Sequence, residues 1–158
     1  MTTREELIDG FRTVIREAKR VSSGFSTDDW ALPVHDEEGW NRKQIYCHIA
    51  ATAEIAPGFL GSLAQGSADQ NPMDNFDING FNAQMVAAKE ALSPQDLINN
   101  LTGSYDKLIE FAQGMPQEQL DSRRNFGLLQ GGTVADVMDS VLILHGIAHI
   151  YSAGGNAA

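Results

Sequence analysis

The sequence predicts an all-α protein, a four-helix up-and-down bundle with one extra short helix. Apolar residues recur at steps of three and four through four long segments. Each of these segments opens or closes on a capping or breaking residue, and no stretch shows the apolar/polar alternation of a half-buried strand. A chain of 158 residues, 42% hydrophobic and 20% charged, suits one domain over residues 1–158 with one sizeable core.

The first helix carries Leu7, Phe11, Val14, Ala18 and Val21 on one stripe and ends by Gly24. FSTDDWALPVHDEEG then reads as a polar loop with a short turn at 28–30. The second helix starts at Asn41, which with Gln44 has the spacing of a capping box. Its stripe is Ile45, His48, Thr52, Ile55 and Phe59, and Pro57 inside it predicts a kink or a break. Residues 66–75 read as loop, followed by a shorter helical stretch with Ile78, Phe81, Met85 and Val86.

Ser93-Pro94-Gln95-Asp96 has the order of a helix start: a cap, a proline at the first turn, then an acid. Leu97, Leu101, Leu108 and Phe111 form the stripe of that helix, and Gly114 and Pro116 close it. Residues 117–132 show no regular element. Thr133 with Asp136 then opens a last helix, which runs to about Ser152 and stops at Gly154-Gly155.

Composition excludes several functions. The chain has 21 Asp and Glu against 11 Lys and Arg, net −10, and no basic stripe. Such a surface repels phosphate backbones, so no nucleic-acid partner is expected. Cys47 is the single cysteine, which forbids an intrachain disulfide and suits a reducing cytoplasm. The N-terminus MTTREELIDG has no apolar core of a secretory signal. The apolar run from Val141 to Ile150 is far shorter than the roughly 20 residues a membrane span needs, and no membrane partner is expected.

VLILHGIAHIYSAGG, residues 141–155, raises the functional question, because two of the four histidines interrupt an apolar run. Residues four apart lie about 40° apart around a helix, one turn along it, so His145 and His149 share a face. Val134, Met138 and Val141 lead into that face, which predicts that both histidines point to the core. His48 has the same placement on the second helix. Burying an imidazole without a partner costs about 1–3 kcal/mol. Ligation of a divalent ion would satisfy all three, and three nitrogens leave a position for water or substrate, as in catalytic sites. Hydrogen bonding within the core is the alternative.

Other patterns are missing. There is no Glu-x-x-His, no His-Glu-x-x-His, no Walker loop and no dinucleotide-binding glycine pattern. His35 reads as an exposed loop residue, and Cys47 as a buried small hydrophobe. Asp136 and Asp139 read as a cap and a solvated face. Glu54 lies on another side of its helix from His48, and Trp30 and Trp40 are expected to pin the first loop to the bundle.

The stretch DDWALPVHDEEGWNRKQIYCHIA resembles the start of the second helix in the DinB-like superfamily, which includes the N-terminal domain of mycothiol-dependent maleylpyruvate isomerases. The shared elements are a loop tryptophan, a Gly-Trp before the helix, and a histidine eight residues after Trp40. GGTVADVMDSVLILHGIAHIYSA resembles the family's last helix, and DINGFNAQMVAAKEALSPQDLINNL resembles the isomerase-type domain, including Asn82.

The resemblance implies a bundle with a mononuclear metal (Zn, Ni or Fe) on His48, His145 and His149, often dimeric. It implies transfer to a low-molecular-weight thiol, or hydrolysis, with Asn82 as a substrate contact. The isomerases have a carboxylate where His145 stands and a second domain beyond the bundle. The chain is therefore expected on the DinB side of the group, without maleylpyruvate isomerisation itself. A non-catalytic metal-binding bundle that takes a small ligand or partner would carry the same three histidines.

Overall fold

The computed structural model describes residues 1–35, 37 and 39–155. Helix α1, Arg4–Ser22, opens on a capping box between Thr3 and Glu6 and buries Leu7, Phe11, Val14 and Ala18. A single 3-10 turn, Asp28–Ala31, comes next. Trp30 from this turn packs edge-on against Phe25 and Tyr46, with ring centroids 5.1 Å apart in both cases. The remaining loop is pinched where Pro33 pairs with Asn41. There the Val34 N–H donates to the Trp40 carbonyl at 3.0 Å.

Helix α2, Arg42–Gln65, begins at the expected Asn41–Gln44 capping box. It runs through Pro57 without a break, so of the kink or break expected there the break is ruled out. A proline inside a helix costs about 3 kcal/mol. Ala56, Leu60, Leu63 and Ala64 are buried on either side of it, and that burial offsets the cost. Helix α3, Ile78–Ala87, is short and is capped by Asp77. Helix α4, Pro94–Gly114, starts at Ser93 and Pro94 as expected and buries Leu97, Leu101, Tyr105 and Leu108.

Residues expected to lack regular structure form a short helix α5, Gln117–Asp121, and a hairpin of β1, Arg123–Phe126, and β2, Leu129–Thr133. The expectation of no strand is therefore corrected. Gly127, at φ 58°, and Gly131, at φ 67°, supply the left-handed turns that the hairpin needs. Asn71 ties the hairpin tip to the loop before α3: its Nδ2 donates to the Gly127 carbonyl at 2.8 Å, and its Oδ1 accepts from the Gly127 N–H at 2.9 Å.

The last helix runs from Val134 to Gly155. It comprises α6, Val134–Met138, a π-helical segment, Asp139–Leu144, and α7, His145–Gly155. Thr133 and Asp136 form the predicted capping box at its start. Its length and composition would also suit a membrane span. In the bundle it buries Val134, Val137, Met138, Leu142 and Ile150.

These four long helices form the four-helix bundle, but consecutive long helices are not always neighbours in space. α1 packs on α4 and on the last helix, and α2 packs on the same two. α1 and α2 thus sit on one diagonal, and α3 lies against α2. One contiguous core joins them, with Leu7, Phe11, Ile45, Leu101, Leu108, Met138 and Ile150 fully buried.

Candidate metal centre

The π-helical segment decides where the histidines point. Such a segment inserts about one extra residue into a helical turn and rotates the residues beyond it by roughly 100°. The core stripe of the last helix therefore continues through Leu142, Gly146, Ile150 and Ala153, all buried. His145 and His149 move to its flank. The expectation that both point into the core is corrected: His145 is exposed, His149 is half-buried, and only His48 is buried.

That flank faces α2, and the three rings converge there. One nitrogen from each of His48, His145 and His149 lies within 4.8 Å of the other two. Ring centroids are 5.2 Å apart for His48 and His145, 5.0 Å for His48 and His149, and 4.2 Å for His145 and His149. The Nε2 atoms of His145 and His149 are 2.8 Å apart.

Desolvation favours the neutral forms of His48 and His145. Burial, then the neighbouring His149 and His145, pushes His48 down to about 3. His145, although open at one edge, is lowered to about 4 by desolvation and by His149, against the pull of Glu37 and of a hydrogen bond with the Val141 backbone. The Glu37 carboxylate lies 2.9 Å from Nδ1 of His149. It stands off the line of the ring N–H, so this buried nitrogen has a charge partner but no formed hydrogen bond. At 2.8 Å the Nε2 atoms of His145 and His149 either share a proton or turn both lone pairs on a cation, and the three-nitrogen donor set fits a metal ion.

Beside the rings lies a cavity of about 430 Å³, with His48 and His145 in its wall. Thr52, Ile55 and Phe59, the rest of the predicted α2 stripe, line it and are half-buried. Asn82 from α3 lines it too. Two residues near the centre do not stand out in the sequence. Glu37 is one of three consecutive acids in a polar loop, and nothing local distinguishes it from its neighbours. Trp40 reads there only as a loop anchor, yet its ring lies 5.1 Å from that of His48. The Gly-Trp before the capping residue is the available signal.

The remaining candidates fall outside the centre. Exposed His35 stays in its loop. Cys47 is fully buried, with its thiol pushed up to about 11 by desolvation. Glu54 pairs with Lys89, which also donates to Asn100. Asp136 caps the last helix, and Asp139 is raised by burial and by Asp136 and Glu6.

Fold and centre together define a helical-bundle protein with a candidate three-histidine mononuclear site. The chain belongs to the mycothiol maleylpyruvate isomerase N-terminal domain family, whose model matches residues 11–140.

Among solved structures, the mycothiol-dependent maleylpyruvate isomerase aligns over 99% of this chain and 62% of its own, at 16% identity and a TM-score of 0.74. A mutant of that enzyme aligns over the same shares at 14% identity and a TM-score of 0.70. YfiT from Bacillus subtilis, described as a probable metal-dependent hydrolase with an unusual four-helix bundle topology, aligns over 94% of this chain and 82% of its own. Its identity is 14% and its TM-score 0.68. The chain thus spans less than two thirds of the isomerase. No curated protein matches it in sequence.

Proposed function

We propose that this protein is a metal-dependent enzyme acting on a small molecule, activating a low-molecular-weight thiol or water at a centre held by His48, His145 and His149. The observation that carries this reading is the convergence of three imidazoles from two helices, two of them in the wall of a ligand-sized cavity. A divalent ion bound there, Zn, Ni or Fe, would supply Lewis acidity and lower the pKa of a bound thiol or water toward neutrality.

The chain's own groups have separate parts in this. His48, buried under Trp40, is the rigid ligand. His145 would bind through Nε2, which faces Nε2 of His149. Glu37, 2.9 Å from Nδ1 of His149, would fix that ring's orientation, as carboxylates behind metal-bound histidines do. Asn82 is the proposed polar contact to substrate. The family and the hydrolase-like neighbour support the two chemistries equally. Buried, unpaired Cys47 supports a cytoplasmic setting.

The test is elemental analysis of tag-free protein, with thiol-transfer and hydrolase assays on the metal-loaded form. About one metal per chain with turnover supports the reading, and a ratio near zero overturns it. One observation favours a second reading, a metal-stabilised binding module. Among the described residues, no carboxylate, lysine or serine lines the cavity to serve as a general base. Chelation that lowers the melting temperature, with no turnover in either assay, would select that module.

A further inference from the structure

The lining of the cavity beside the histidines has a consistent chemistry. Phe59, Phe76, Phe81 and Phe126 stand in it together with Ile55 and Ile78. Phe59 and Phe126 are stacked, with centroids 5.3 Å apart and planes 21° apart. Phe76 and Phe81 meet at 5.4 Å. These rings come from α2, from β1 and from the segment around the start of α3, so three elements build the wall, and the Asn71–Gly127 hydrogen bonds tie the hairpin to the loop before α3.

Among the described residues, no arginine, lysine or carboxylate lines this cavity. The polar groups are confined to the end near the centre. Thr52 Oγ1 donates its proton to the His48 carbonyl at 2.9 Å and is left with acceptor capacity alone. The Asn82 amide is therefore the one side-chain donor besides the imidazoles that the described wall offers.

We infer that this cavity binds an uncharged, predominantly aromatic or alicyclic small molecule, oriented with its one polar or electrophilic group toward His48, His145 and Asn82 and its apolar body among the phenylalanines. The inference deepens the proposed function by naming the substrate class of the same site, but binding of the apolar body does not depend on the metal. Desolvating a carboxylate with no cation to meet it is unfavourable, and the acidic chain adds long-range repulsion. The metal-free cavity therefore disfavours small dicarboxylates, whose second carboxylate would lie among the phenylalanines even with an ion on the histidines. A volume of about 430 Å³ lies within the ordinary range for small-molecule pockets and admits two fused or linked rings.

The experiment titrates the neutral fluorescent probe N-phenyl-1-naphthylamine into tag-free full-length protein, once stripped with chelator and once with zinc restored, with naphthalene and maleate as competitors. Saturable binding in both forms, displaced by naphthalene, and in the stripped form not displaced by maleate, is expected. Ile55→Trp, which fills the cavity, and Ile78→Lys, which places a cation at its rim, should each weaken the probe at least tenfold. Ile78 is 41% exposed, so the second variant tests the proposal even if the first fails to fold. No saturable binding, binding unchanged in Ile78→Lys, or displacement from the stripped form by maleate as effective as by naphthalene would overturn it. Probe binding without metal uptake would refute the metal centre alone, and metal uptake without probe binding would refute the cavity alone.

Discussion

Oε2 of Glu37 lies 2.9 Å from Nδ1 of His149, so a loop carboxylate backs a ring whose other nitrogen faces His145. Carboxylates in this position fix the orientation of a metal-bound imidazole, and their removal costs about 10–100-fold in metal affinity. Glu37→Gln should therefore weaken zinc binding by that factor while leaving helix content unchanged. Competition against a chromophoric chelator measures this. Unaltered affinity would show that the pair is incidental.

His48 is the buried member of the triad and the only one contributed by α2. His48→Ala should reduce the metal-to-chain ratio of tag-free protein from about one to near zero. His35→Ala, in the exposed loop, should leave the ratio intact. Elemental analysis of both variants beside the parent decides the matter, and equal ratios in all three would place the metal elsewhere or nowhere.

The same burial makes the metal-free protein sensitive to acid. In the unfolded chain these imidazoles titrate near 6.5, whereas folding holds His48 down to about 3 and His145 down to about 4. Between those limits the unfolded state binds more protons, so stability rises with pH there and is lost as pH falls from about 6.5 toward 4. The melting temperature in chelator should drop steadily through that window. The double variant His48→Gln, His145→Gln should show a flatter profile, and equal slopes in the two proteins would contradict the assignment.

Much of the bundle was legible because capping is local chemistry. Asn41 with Gln44, Ser93 with Pro94, and Thr133 with Asp136 each marked a helix start that the structure reproduces. The three histidines were legible as a set, but their direction was not. Counting from Val134 at a fixed helical period puts His145 and His149 in the core, and a π-helical insertion has no residue signature that would correct the count. The hairpin escaped because Arg123–Phe126 and Leu129–Thr133 lack alternation and are held by glycine turns and by bonds from Asn71. Glu37 escaped for a different reason: its partner is 112 positions away in the chain, and only the folded loop brings the two together.

The π-helical segment itself gives the last prediction. The Tyr105 hydroxyl, from α4, donates to the Leu142 carbonyl at 2.7 Å in the buried core. Leu142 belongs to the π-helical segment, three residues before His145. Tyr105→Phe preserves the ring and its packing on Phe11, whose centroid is 5.9 Å away, but leaves a buried carbonyl without this donor. The loss should be about 1–3 kcal/mol, read from urea unfolding. If the bond also stabilises the π register, the histidine flank should loosen with it. Zinc affinity should then fall several-fold, and the Glu37–His149 approach should lengthen in a crystal structure of the variant. A stability loss with unchanged zinc affinity would mean that the neighbouring core contacts alone hold the π register. Restoring the hydroxyl without the ring, through Tyr105→Ser, should recover neither property, because the shorter side chain cannot reach the carbonyl.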